Sequence, residues 1–162
     1  GALGKGYAAE MAAWALKRRG VYSYVLDVGG NLRIVGAKPD GNGWITGIKD
    51  PHNASQYAEK LTLSDISCVT SGDYERYFEV DGIRYHHIID KDTLYPAEYF
   101  SSVTVICRDS GLADALSTAL FCMSYEQGLE LIEKMDGVEA MWVRENDEEL
   151  YSSGFKKYFK EY

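Results

Sequence analysis

The sequence predicts an α+β fold, an antiparallel sheet with helices packed on one side. Three observations carry this reading. Short β-type runs follow one another in meanders, a two-residue Asp81-Gly82 turn joins two of them, and only a few helical stretches interrupt the series. The 162 residues suit one domain with a substantial core. A hydrophobic share of 46% beside 26% charged residues is the balance of a folded chain, not a disordered one.

Taken in order, Tyr7 to Arg19 reads as an amphipathic helix. Lys17, Arg18 and Arg19 occupy its last turn and Gly20 is its stop. Val21–Asp27 and Leu32–Ala37 read as strands around a Gly29-Gly30-Asn31 turn, and Trp44–Lys49 as a third after a Pro- and Gly-bearing loop. Asp50–Lys60 is polar and reads as irregular or loosely helical. Ile66–Thr70 is a short strand ending at Ser71-Gly72. Tyr74–Val80 and Ile83–Ile89 flank the Asp81-Gly82 hairpin turn, and Val103–Cys107 is an apolar strand. Leu112–Met123 and Tyr125–Met135 are helices, and Val138–Arg144 with Glu149–Ser152 form an edge hairpin. The tail, Gly154–Tyr162, alternates aromatics with lysines and suits either a docking segment or a solvated end.

A formal net charge of −8 argues against a nucleic-acid partner. It also means that a phosphate-bearing ligand needs a local site or a metal, because the overall field repels anions. Cys68, Cys107 and Cys122 leave one thiol unpaired in any intramolecular scheme, contain no CxxC, and read as small buried hydrophobes. No stretch is long and apolar enough to span a membrane, and none reads as a signal peptide.

Four places could carry chemistry. The opening Gly1-Ala2-Leu3-Gly4-Lys5-Gly6 precedes a helix, where exposed N–H groups and the helix dipole favour an anion and Lys5 adds a cation. Its spacing is neither the dinucleotide-binding GxGxxG nor the P-loop, and a flexible lead-in is the ordinary alternative. Asp114 and Thr118, four apart on a helix, share one face and could offer two oxygens to a hard cation. In the plainer reading Asp114 caps its helix and Thr118 is packed. Thr70-Ser71-Gly72-Asp73-Tyr74 ends a strand in a polar turn that could line a pocket or simply turn the chain. His86 and His87 are strand neighbours on opposite faces, so one could serve as a general base while the other is solvated. With His52 the only other histidine, zinc is not expected.

The order of these blocks resembles a known family. Gly1-Ala2-Leu3-Gly4-Lys5-Gly6-Tyr7-Ala8-Ala9 is followed by Val28-Gly29-Gly30-Asn31, Thr70-Ser71-Gly72-Asp73-Tyr74 and His87-Ile88-Ile89-Asp90. Ser102-Val103-Thr104-Val105 and Ala113-Asp114-Ala115-Leu116-Ser117-Thr118-Ala119-Leu120 complete the series. It is similar to the C-terminal half of ApbE-type FAD:protein FMN transferases, across nearly the whole chain. The chain opens on Gly1, and family members are usually longer, so a single domain or the C-terminal half of the catalytic domain is expected.

The resemblance implies a T-fold-like domain and an Mg²⁺-dependent enzyme. FMN would pass from the substrate FAD to a Thr or Ser hydroxyl of an acceptor protein, releasing AMP. An FAD pyrophosphatase giving FMN and AMP, or a non-catalytic FAD-binding module, are the alternatives. By motif position, Asp114 and Thr118 would bind the metal through side chains and Ala2 through its carbonyl. Lys5 would sit near the diphosphate, His87 would be the base, and Gly30, Asn31, Ser71 and Gly72 would line the FAD pocket. The resemblance also implies an extracytoplasmic setting, with membrane attachment only through a lipid anchor absent from this chain.

Two positions depart from the family pattern. After Asp90, Lys91 and Leu94 stand where the family usually has Pro and Gly, so the backbone at Leu94 is expected to differ if that glycine uses a positive φ. Glu10 stands where the family more often has Asp.

Overall fold

The computed structural model describes residues 3–161. Its centre is a six-stranded antiparallel sheet in the order β1 (Tyr24–Val28), β2 (Asn31–Val35), β5 (Ser67–Gly72), β8 (Ser102–Cys107), β9 (Glu139–Val143) and β10 (Glu149–Tyr151). Helices α1 (Gly4–Lys17), α2 (Ser110–Phe121) and α3 (Tyr125–Ile132) cover one face. A separate hairpin, β3 (Trp44–Lys49) with β4 (Tyr57–Leu63), and the 3₁₀ turn Phe155–Tyr158 cover the other. The hairpin β6 (Tyr77–Val80) with β7 (Ile83–His86) stands apart as its own two-stranded ribbon.

Both faces of β8 are covered, so all six of its residues are buried, including Ser102 and Thr104, whose hydroxyl meets that of Thr70 at 2.8 Å. Val69, Val103, Val105, Ala140 and Trp142 pack against Ala113, Leu116, Leu120 and Phe121 on the helix face. Ile34, Cys68, Ile106, Met141 and Val143 pack against Ile48, Leu61, Leu63 and Phe155 on the other. Each large side chain so buried stabilises the fold by roughly 1.5–3 kcal/mol relative to exposure. Burial also raises the Cys68 thiol to about 12, so this cysteine acts as a small hydrophobe.

Local chemistry sets the helix ends. Asp109 accepts the Leu112 N–H at 2.7 Å and starts α2. Ser124 and Gln127 form a reciprocal capping box at α3. Helix α1 starts at Gly4, earlier than its apolar pattern predicts, and ends at Lys17 with Gly20 beyond it.

Several expectations are corrected. Asp50–Lys60 is not irregular throughout: from Tyr57 it enters β4, because pairing with β3 and burial of Leu61 and Leu63 outweigh its polar composition. The strands around the Asp81-Gly82 turn are shorter than the apolar run suggests, β7 ending at His86. Of the two readings of the tail, its described residues take the docked one: Phe155 is fully buried and Lys160 donates its N–H to the Lys60 carbonyl at 2.8 Å, while Lys156 and Lys157 stay exposed. Leu94 has φ +60°, the left-handed conformation that a glycine adopts without strain.

Candidate functional site

Five separated segments meet around one cavity of about 650 Å³. Lys5 comes from the first turn of α1, Gly29 and Gly30 from the β1–β2 turn, and Thr70, Ser71 and Gly72 from the end of β5. His87 follows β7, and Asp114 and Thr118 come from α2. An adjoining groove shares Lys5, Gly29, Gly30 and Thr70 and extends the cavity toward Gly47 and Ile48 of β3.

The β1–β2 turn needs glycine, since Gly29 and Gly30 have φ of +60° and +89°. Asp27 accepts the Gly30 N–H at 2.8 Å, and Lys5 Nζ donates to the Gly29 carbonyl at 3.1 Å, which ties the helix to the turn.

Asp114 is 5% exposed. Its Oδ2 accepts the backbone N–H of Gly6 at 2.8 Å, so the carboxylate satisfies a free donor in the first turn of α1. Asp114 is therefore a cap, but of α1; Asp109 caps its own helix. Thr118 Oγ1 donates to the Asp114 carbonyl at 3.2 Å. Ser71 Oγ lies 2.8 Å from Ser117 Oγ and 3.4 Å from Thr118 Oγ1, so strand and helix share one patch of hydroxyls.

The two histidines face opposite ways, with a correction. His86 is not solvated: it is buried, its Nε2 donating to the Ala97 carbonyl at 2.9 Å and its Nδ1 accepting the Ile88 N–H at 3.3 Å. His87 stands on the cavity rim, with Nδ1 3.2 Å from the Arg76 carbonyl. A carbonyl only accepts, so Nδ1 carries the proton and Nε2 is the free acceptor of the neutral ring. Partial burial lowers the His87 pKa, and the charges of Arg76, His86 and Lys5 lower it further, against the hydrogen bond it donates to the Arg76 carbonyl, which raises it. His87 is thus neutral at pH 7 and able to take a proton.

The donor set suits a magnesium ion. Asp114 keeps its second carboxylate oxygen, Thr118 and Ser71 add hydroxyl oxygens, and no thiol borders the cavity.

Lys5, Gly30, Ser71, Gly72, His87, Asp114 and Thr118 are brought together; Asn31 is not. Asn31 is fully buried, does not border the cavity, and makes no side-chain hydrogen bond among the described residues. Ala2 lies outside the described residues. Sequence reasoning missed Gly6, Ser117, Lys49 and Arg76. Ser117 lies inside the Ala113–Leu120 block and was legible there, whereas Lys49 and Arg76 reach the cavity only through hairpin placement. A second, more exposed group, Asp50, His52 and Asp147, shares no residue with the cavity, and His52 there bridges Asp147 at 2.5 Å and Ser101 at 3.0 Å.

Comparison with known proteins gives a consistent result. The sequence profile of the ApbE family matches residues 1–142. An FAD:protein FMN transferase of Treponema pallidum is 39% identical over 153 residues, covering 88% of this chain and 42% of that protein. One from Klebsiella pneumoniae is 37% identical over 155 residues, covering 94% and 47%. The crystal structure of the ApbE protein of Thermotoga maritima superposes with a TM-score of 0.92 at 38% identity, covering 99% of this chain and 52% of that one. The flavin transferase ApbE of Vibrio cholerae gives a TM-score of 0.83 at 32% identity, covering 97% and 51%. The chain spans about half the length of these relatives.

Proposed function

The chain belongs to the ApbE family, and from that premise we propose that its cavity takes part in Mg²⁺-dependent transfer of FMN from FAD to a Thr or Ser hydroxyl of an acceptor protein. The observation that carries this reading is the convergence of Lys5, Gly30, Ser71, His87, Asp114 and Thr118 on one cavity from five separated segments. Family membership also supports an extracytoplasmic setting.

Phosphoryl transfer depends on positioning and on neutralising charge. Asp114, Thr118 and Ser71 would hold a magnesium ion, which supplies electrostatic stabilisation of the diphosphate when bound. Neutral His87 accepts the proton of the acceptor hydroxyl at Nε2. That oxygen forms the new P–O bond to the FMN phosphorus, the bond to the AMP oxygen breaks, and AMP leaves with the electron pair. Water in place of the hydroxyl would give FMN and AMP; His87 is exposed at the cavity rim.

The test is flavin fluorescence during titration with FAD, with and without Mg²⁺, for this chain and for Asp114→Asn. Mg²⁺-enhanced binding that the variant loses supports the metal role. Binding equal in all four conditions removes it, and no binding by the unaltered chain removes the reading of this stretch as an FAD site in itself.

A further inference from the structure

Two cations on the cavity wall, Lys49 and Arg76, belong to no block of the family resemblance. Lys49 ends β3 and Arg76 lies just before β6, so hairpins lying off the central sheet deliver them. Neither side chain makes an ion pair or hydrogen bond among the described residues, whereas Lys17, Arg33, Arg84 and Arg144 are each paired with a carboxylate.

Charge balance gives their placement meaning. The chain as a whole carries −8, but the cavity lining holds Lys5, Lys49 and Arg76 against Asp27, Glu75 and Asp114, three positive and three negative charges, net zero. Two of those carboxylates are engaged by backbone N–H groups, Asp27 by Gly30 and Asp114 by Gly6. The lining therefore escapes the repulsion that the rest of the protein exerts on anions. A guanidinium offers a planar fork of donors suited to a phosphoryl group, and an ammonium offers a mobile point charge. Arg76 has a second link to the site: its carbonyl accepts both the backbone N–H and Nδ1–H of His87, each at 3.2 Å. An anion on its guanidinium is thereby held beside the base.

We propose that Lys49 and Arg76 form the anion-selecting wall of the cavity, contacting a diphosphate group and discriminating a diphosphate-bearing flavin from a neutral one. The flavin rests on the functional reading above; the anion site does not, and is tested with pyrophosphate alone.

The experiment measures binding of pyrophosphate, FAD and riboflavin in MgCl₂ by calorimetry and flavin fluorescence. It compares the unaltered chain with Lys49→Met, Arg76→Met, Arg76→Lys and the remote control Arg108→Met. Both side chains are exposed, so unchanged thermal melting is expected and confirms folding. Lys49→Met and Arg76→Met should each weaken pyrophosphate and FAD binding by about tenfold and leave riboflavin unchanged. Arg76→Lys should fall between, and Arg108→Met should match the unaltered chain. Equal FAD and pyrophosphate affinity in all variants, or an equal loss in the control, overturns the proposal and leaves the flavin reading standing. Pyrophosphate binding lost in the variants without any FAD binding supports the anion wall and overturns the flavin reading. No binding of either by the unaltered chain overturns both.

Discussion

Gly6 and Asp114 lie 108 residues apart in sequence and are joined by one hydrogen bond of 2.8 Å from a backbone N–H to a carboxylate. The contact makes the candidate metal ligand also the cap of another helix. Asp114→Ala should therefore cost about 1 kcal/mol through the lost cap alone. Asp114→Asn retains an acceptor for Gly6 and should melt close to the unaltered protein while losing any Mg²⁺ dependence of flavin binding. Thermal melting beside the Mg²⁺ titration separates the two roles, and equal melting of both variants would remove the capping role.

Gly6 is required for the approach itself. A Cβ there would lie 2.6 Å from Asp114 Cβ and closer still to the Ser110 carbonyl oxygen, forcing α1 away from α2. Gly6→Ala should destabilise by about 1–3 kcal/mol, as overpacking does. Denaturant unfolding checks this; a midpoint unchanged from the parent would show that the helices yield freely.

Glu10 bridges two partners. Its Oε2 accepts from Arg33 Nε at 2.9 Å and from the Ser110 N–H at 3.0 Å, linking α1 to β2 and to the start of α2. Arg33 is 5% exposed and would keep only the Asp65 carboxylate at 3.9 Å and the Ile34 carbonyl, so Glu10→Ala should cost about 1–3 kcal/mol. Glu10→Ala with Arg33→Met should recover part of that loss. A double variant as unstable as the sum of the two singles would show that the pair is not coupled.

The lowered pKa of His87 sets a pH dependence. The ordinary value is 6.5, and the neutral ring is the working form. Transfer rate should rise with pH through a midpoint below 6.5 and level off by neutrality. The same shift affects stability: between the folded pKa and 6.5 the unfolded chain binds more protons, so stability rises with pH across that window and is flat above it. His87→Gln should abolish the rate midpoint, and a midpoint that persists would assign it to another group.

Leu94 holds φ +60° while 75% exposed. Asp90 fixes its turn by accepting the Asp92 and Thr93 N–H groups at 2.7 and 3.0 Å, leaving Leu94 in a conformation that strains an L side chain. Leu94→Gly loses little burial and should raise stability by about 0.5–1 kcal/mol, measured by thermal melting. A fall in stability would show that the leucine makes contacts stronger than its strain.

Local pattern determined much of this protein. The Asp81-Gly82 turn, the apolar run of β8 and the helices α2 and α3 all follow from short-range periodicity and turn chemistry. Ordered sequence blocks also marked most residues around the cavity. Tertiary structure alone decided the strand identity of Tyr57–Leu63, where Leu61 and Leu63 become buried only once β3 is paired alongside. It buried Asn31 away from the cavity lining, turned Asp114 toward Gly6, 108 residues away in α1, and brought Lys49 and Arg76 to the same cavity. The physical reason is common to all of these. Which face a strand buries, and which charges share a cavity, depends on the partner packed against it, and that partner lies outside the local window in which sequence periodicity is expressed.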